Sequence, residues 1–252
     1  MSTPKSQSEL EAHKDSALKA MEDYLSDLIN STDENLHSKA DKISYWLEDY
    51  ARFLDSETSF DVTKFPKYKR GQIVKVHLGF NIGSEEGGVH YAIVIENKSP
   101  VKAPTLNVIP LTSVKSSKDV SKIRGDLGEV YLGNELYRLL TTKVDTLQTS
   151  ITNELASLNE LISELKPGDS QIQTTKKRLE VLKKKLKLLT KAKKEISKMK
   201  IGSIALVRQI TTVSKIRIYD PISPYGVLSD IKVSNETLDK IDNTIRQLFT
   251  KI

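Results

Sequence analysis

The chain has 252 residues, 29% of them charged and only 6% aromatic. That is too few large core side chains for one compact fold of this length, so one dense core with helical extensions is expected. With no cysteine, a disulfide-stapled fold and a thiolate metal site are both excluded. A polar Ser/Glu/Lys stretch follows Met1, and no run approaches the roughly 18 apolar residues of a membrane span, so a cytoplasmic protein with no membrane partner is expected.

The net charge of +6 is unevenly spread. Residues 1–65 carry −7, residues 66–133 carry +4 and residues 134–170 carry −3, while residues 171–200 carry +10 and residues 201–252 carry +2. One segment therefore exceeds the excess charge of the whole chain.

Residues 8–55 read as two helices. Leu10, Ala17, Met21, Leu25 and Leu28 share one face of the first, and Leu36, Ala40, Ile43, Leu47, Tyr50 and Leu54 share one face of the second. Ser31, Thr32 and Asp33 between them offer N-cap chemistry. From Phe65 the pattern changes to short β-branched runs, at Ile73 to Leu78, Tyr91 to Glu96, Leu106 to Leu111 and Glu129 to Leu132. The loop from Gly79 to Gly88 also holds Gly83 and Gly87, as suits an exposed turn or a backbone that approaches a ligand. Several short strands with such turns predict a small barrel.

Residues 135–199 switch to apolar spacings near 3.5 residues, from Leu140, Val144, Leu147 and Ile151 through Leu165, then from Ile172 to Ile196. This spacing predicts coiled-coil packing, and Pro167, Gly168, Asp169 and Ser170 at its middle predict an antiparallel hairpin. Strands return at Ser203 to Gln209 and around Lys215 to Ile218. A final amphipathic helix from Ser234 or Asn235 to Phe249 places Leu238, Ile241, Ile245 and Leu248 on one face. The expected fold is α+β: a small barrel with a closing helix, in which residues 1–64 are an N-terminal helical extension, 65–134 the first part of the barrel, 135–200 an inserted antiparallel coiled-coil hairpin, and 201–252 the second part with the C-terminal helix.

Three stretches carry a resemblance to a known family. Gly71-Gln72-Ile73-Val74-Lys75-Val76-His77-Leu78, followed by Gly83-Ser84-Glu85-Glu86-Gly87-Gly88-Val89-His90-Tyr91-Ala92-Ile93-Val94-Ile95, resembles the opening hairpin of MazF/PemK/Kid toxins. Pro104 to Ser113 is similar to that family's next strand with its terminal Thr, and Ser203 to Arg217 to its final strands. The resemblance implies an SH3-like barrel and a homodimer. It further implies an endoribonuclease that needs no metal or cofactor and cuts single-stranded RNA by 2′-hydroxyl attack, with an antitoxin protein as a partner in a toxin–antitoxin or phage-defence setting.

Such a reaction needs a proton acceptor, a proton donor and hydrogen-bond donors for the crowded phosphate. The family places these roles mainly on an Arg after Gly-Gly-x, here His90, and on a strand-end Thr, here Thr112. The imidazole of His90 can act as acid or base, or it can simply hydrogen-bond at a strand start. Thr112 can contact phosphate or be an ordinary strand-end residue, and Glu85 or Glu86 can act as a base or stay solvated. RNA contacts are then expected from Ser84, Glu86, Gly87, Gly88 and Ser113. His77, at the family's Asp position, would alter substrate preference, and Arg217 would pair with phosphate or with a carboxylate.

On the hairpin, Lys183, Lys184 and Lys185 head a lysine-rich arm suited to RNA, or form a solvated helix face. The acidic N-terminal helices either restrain the barrel or serve as a docking or dimerising module. A competing class is a non-catalytic barrel that binds nucleic acid or protein, with the hairpin as scaffold. The four histidines, His13, His37, His77 and His90, show no metal-ligand spacing, and neither a Walker loop nor a nucleophile elbow occurs.

Overall fold

The computed structural model describes residues 5–114, 120, 123–164, 166 and 170–251. Its chain divides into two compact units, Met1–Ser56 and Glu57–Ile252. The first is a helical pair, α1 (Gln7–Ile29) and α2 (Glu34–Ser56). Ser6 and Glu9 form a reciprocal capping box at the start of α1. Asp33 accepts from the Asn35 amide at the start of α2. Leu28, Ala40 and Ile43 are buried, whereas Leu10, Met21, Leu47, Tyr50 and Leu54 remain exposed. Two helices can bury only the strip between them, so much of each predicted apolar face stays uncovered within this unit.

Among the described residues the second unit is built on seven strands: β1 (Ile73–His77), β2 (Val89–Val94), β3 (Thr105–Ser113), β4 (Glu129–Gly133), β5 (Ser203–Leu206), β6 (Thr211–Ser214) and β7 (Ile218–Asp220). Its helices are α3 (Glu135–Glu164), α4 (Gln171–Ile196) and α5 (Asn235–Phe249). The sheet is antiparallel, in the order β4-β5-β3-β2-β1-β7, with β6 also paired to β3. Pairing does not return from β7 to β4, so the sheet is open where a closed barrel was expected. Each edge has a local reason: β7 has only three residues, and β4 passes through a register shift at Tyr131/Gly133 straight into α3.

Strand alternation puts apolar side chains on both faces of this sheet. On one face Val74, Val76, Ala92, Val94, Leu106 and Val108 pack with Val213, Ile218 and Tyr68. No residue of α3, α4 or α5 belongs to this cluster, so the sheet curls and its own strands bury that face. On the other face Ile73, Ile93, Ile109 and Leu111 pack beneath Leu136, Leu140 and Val144 of α3, Ala192 of α4, and Leu238 and Ile241 of α5.

Residues 201–252, the second block of the sheet as residues 65–134 are the first, were expected to open with one strand from Ser203 to Gln209, but the chain breaks after Leu206 into a 3-10 turn at Val207–Gln209 and pairs again as β6. Pro110 explains the break. The Asn107 carbonyl accepts from Ile95 on the β2 side, so the odd-numbered backbone groups of β3 face β2 and the even-numbered ones face the opposite edge. Val114 N–H, on that opposite edge, bonds the Gly202 carbonyl. Pro110 has no N–H to offer there. β5 pairs with Leu111–Ser113, β6 pairs with Thr105–Val108, and the turn bridges the gap between them.

Helices α3 and α4 pack antiparallel: Arg178 bonds Glu154 and Ser157, while Lys185, further along α4, bonds Ser150, further back along α3. Ile151, Leu158 and Leu182 form a small separate core between them. The expected break at Pro167, Gly168 and Asp169, with Leu165, lies outside the described residues. The base of this helix pair is not an appendage, because it roofs the sheet. Glu135 at the start of α3 accepts from Ser234 N–H at 2.6 Å and from the Thr237 hydroxyl at 2.5 Å, which ties it to the first turn of α5. Leu140→Ala should therefore cost about 2 to 5 kcal/mol in chemical denaturation. Leu155→Ala, further along α3 and 42% exposed, should cost no more than about 0.5 kcal/mol.

Candidate functional site

The glycine-rich loop between β1 and β2 is closed by backbone bonds from Leu78 N–H to the Gly88 carbonyl and from Gly88 N–H to the Gly79 carbonyl, at 2.8 and 2.6 Å. Gly88 sits at φ +82°, and a Cβ on Gly87 would lie 2.9 Å from the Gly79 carbonyl oxygen. Both positions therefore require glycine. Asn81 donates to the Glu86 carbonyl at 2.7 Å from within the loop.

Gln209, brought alongside by the turn opposite Pro110, fastens the loop from outside. Its amide accepts from Glu86 N–H at 2.5 Å and donates to the Ser84 carbonyl at 3.2 Å. Between the loop and the turn lies a groove of about 650 Å³, lined by Ser84, Glu85 and Glu86 on one side and by Arg208, Gln209, Thr211 and Arg217 on the other, with Pro110 between them. Guanidinium groups and carboxylates thus share one opening, an arrangement able both to hold a phosphate and to move protons.

His90 and Thr112 occupy one rung of the sheet. The β2–β3 register pairs Tyr91 with Leu111 and Ala92 with Pro110, and its next step sets His90 opposite Thr112. Both side chains share the face of Pro110, which lines the groove. His90 Nδ1 lies 3.0 Å from the Leu111 carbonyl, and its Nε2 lies 3.1 Å from Glu86 Oε1. Both ring nitrogens face acceptors, so the doubly protonated ring makes both bonds, whereas a neutral ring can donate only one. Glu85 also lines the groove, and its carboxylate has no hydrogen-bond or ionic partner among the described residues.

The structure thus brings together His90, Thr112, Ser84, Glu85, Glu86, Gly87, Gly88 and Arg217. It separates three other predictions from them. His77 pairs with Val89 on the opposite face from Val76 and His90, is 6% exposed, and accepts the Gly79 N–H at 3.0 Å through Nδ1. Its ring is not offered to the groove. Only its carbonyl serves there, accepting from Arg217 Nε at 2.7 Å. Ser113 follows Thr112 and so points to the other face. Lys183, Lys184 and Lys185 lie along α4, where Lys185 bonds Ser150 and Lys184 sits over the Tyr225 ring. Arg208 and Gln209 were not anticipated, since a polar pair after a short strand has no local signature.

Among the described residues no group of three or more His, Cys, Asp or Glu could hold a metal ion, and no helix is long and apolar enough to cross a membrane. Comparison with known families matches residues 69–171 to the PemK-like, MazF-like toxins of type II toxin–antitoxin systems. No curated protein matches the chain. The chain is thus PemK/MazF-like from the segment before β1 through α3, and the resemblance read from Gly71 to Ser113 stands. The strands that complete the sheet from the second block lie beyond the matched stretch.

Burial, with the Arg217 charge adding to it, pushes the His77 imidazole down to about 4. An unfolded histidine takes up its proton near 6.5. The unfolded chain therefore binds that proton first as pH falls, so the contribution of His77 to stability is complete above about pH 7, declines toward pH 4 and changes no further below it. Loss on the order of 3 kcal/mol is expected across that window, read as a falling midpoint of denaturation, and His77→Gln should flatten that decline.

Proposed function

We propose that this chain is a toxin-like, metal-independent endoribonuclease that cuts single-stranded RNA in the groove between the glycine loop and the Val207–Gln209 turn. The carrying observation is the His90–Glu86 pair, on one rung with Thr112 and beside a groove that also holds two arginines. The family match supports the reaction class, since the matched family consists of type II toxins. In this reading the curled, open sheet is the counterpart of the family's SH3-like barrel, the α3–α4 pair is a coiled-coil arm, and an antitoxin protein and a second copy of the chain are the protein partners. The site of action is the cytoplasm.

The ribose 2′-hydroxyl attacks phosphorus and gives its proton to Glu85, whose carboxylate opens on the groove. As the O2′–P bond forms and the P–O5′ bond breaks, His90, oriented by its contacts with Glu86 and the Leu111 carbonyl, hands a proton to the departing 5′-oxygen. A 2′,3′-cyclic phosphate and a 5′-hydroxyl result. Thr112 and the guanidinium groups of Arg208 and Arg217 hold the phosphate oxygens as negative charge builds. His90 then supplies the cation and donor that the family obtains from arginine, while also being able to release the proton.

Incubation of the purified chain with single-stranded RNA in chelator should yield cyclic-phosphate and 5′-hydroxyl ends. His90→Ala should slow cleavage about 100-fold or more, and Glu85→Gln should do likewise with RNA binding kept. RNA left intact by the unaltered chain, or cleavage undiminished in His90→Ala, would remove the mechanism.

A further inference from the structure

A second cleft, of about 310 Å³, opens where the end of α4 meets the sheet. Lys75, Lys191, Lys194, Lys198 and Tyr219 line it, together with Glu195 and Asp220. Lys75 donates to Glu195 at 2.5 Å, and the Tyr91 hydroxyl donates to the same oxygen, also at 2.5 Å. Burial opposes ionisation of Glu195, but these two donors outweigh it and hold its carboxyl below the usual range. Glu195 is therefore spent on Lys75, and Lys191, Lys194 and Lys198 face the cleft as exposed cations.

These three lysines continue a stripe. Lys184, Lys187, Lys191 and Lys194 recur at alternating spacings of three and four residues, which places them on one face of α4. Lys198 follows in the turn just beyond the helix, bonded back to the Glu195 carbonyl, and all five are exposed. The helical part of the stripe, from Lys184 to Lys194, spans about 15 Å at 1.5 Å per residue. Two exposed tyrosines stand beside it. Tyr225, 65% exposed, receives Lys184 Nζ at 5.8 Å from its ring centroid, and Tyr219, 40% exposed, lies in the cleft itself. The Tyr219 ring meets His77 edge-on, at 6.0 Å between centroids, which braces it. A solvated helix face requires lysines alone. Lysines aligned with rigid, exposed aromatic rings at a cleft match a strand of phosphates whose bases can stack.

We infer that the α4 stripe, with Tyr219 and Tyr225, is a second binding site for single-stranded RNA that holds the substrate outside the cleavage groove. Phosphates lie along Lys184, Lys187, Lys191, Lys194 and Lys198, and bases stack on the two tyrosines. The segment from Arg217 to Tyr219 borders both openings, with Arg217 in the groove and Tyr219 in the cleft. One strand of RNA thus reaches from one site to the other. The inference rests on the RNA reading of the groove for its biological sense, but its chemistry is separate.

The test uses the full chain and a fluorescein-labelled oligouridylate of about 12 nucleotides, 2′-O-methylated so that it cannot be cut, with anisotropy followed across salt concentrations. Changing Lys191, Lys194 and Lys198 together to Gln should weaken binding about tenfold or more and reduce the salt slope by about 2, at roughly 0.7 for each phosphate no longer neutralised. Tyr219→Leu should weaken binding about fivefold or more while leaving affinity for inorganic polyphosphate, which has no bases, unchanged. Circular dichroism melting of each variant checks that the fold is kept. Unaltered RNA affinity in the folded triple variant overturns the site, as does an equal loss of polyphosphate and RNA binding in Tyr219→Leu, which is the behaviour of a surface made for any polyanion, such as an acidic protein. A chain that cuts no RNA yet shows both expected losses refutes the groove reading and leaves this one standing.

Discussion

Both edges of strand β3 are occupied, and the rest of the second unit depends on that. One edge pairs with β2 from the first block of the sheet, and the other pairs with β5 and β6, which arrive after the whole of α3 and α4. A strand that is paired on both sides and covered by apolar groups on both faces has few ways to shift register, since a slip of one residue would exchange Val108 and Ile109 between two different cores. The one flaw in its hydrogen bonding, the missing N–H of Pro110, falls on the edge facing the second block. There the partner chain leaves the sheet for one turn and presents Arg208 and Gln209 beside the glycine loop. The groove is thus a consequence of how β3 is paired rather than an addition to the fold.

The two faces of the sheet divide the ionisable groups between structure and chemistry. On the face toward the α3–α4 base, Lys75, Tyr91 and Glu195 satisfy one another and fasten α4 to the sheet. On the other face a rung further along, His90, Glu86 and Thr112 stand at the mouth of the groove, partly open to water. Lys215 shows what the interior of the curl demands of a charge. It is 1% exposed, its ammonium reaches the Pro100 and Val101 carbonyls, and burial lowers its affinity for the proton. A group enclosed in that way can hold a loop in place, but it cannot exchange a proton with a substrate.

Much of the framework was legible in the chain itself. The β-branched runs at Ile73 to Leu78 and Tyr91 to Glu96, the glycines at Gly79 to Gly88 and the amphipathic stretch ending at Phe249 each follow local rules. The helical rhythm after Glu135 also identified α3 and α4, although not that Leu136 and Leu140 would belong to the main core. Reading failed where the cause was not local. The turn at Val207–Gln209 answers a proline nearly a hundred residues upstream, and no pattern within Ser203 to Gln209 announces it. His77 and His90 look alike in sequence, each within a strand beside the glycine loop. Only the cross-strand register shows that one faces the core and the other the groove. The pairing of His90 with Glu86 rather than Glu85 depends on the loop geometry that Gln209 imposes.

The pairing of β3 with the second block is open to a direct covalent test, because the chain contains no cysteine. Asn107 and Thr212 are directly opposed, and the Asn107 carbonyl points toward β2, which makes this the closer, non-hydrogen-bonded kind of pair. Its spacing suits a disulfide. In a double variant carrying Asn107→Cys and Thr212→Cys, oxidation should give an intramolecular disulfide in the folded protein, detected by mass spectrometry. A control pairing Asn107→Cys with Thr211→Cys, whose side chain points to the other face, should stay reduced under the same conditions. Failure of the first pair to close, or equal closure of both, would show that the two blocks do not share this strand.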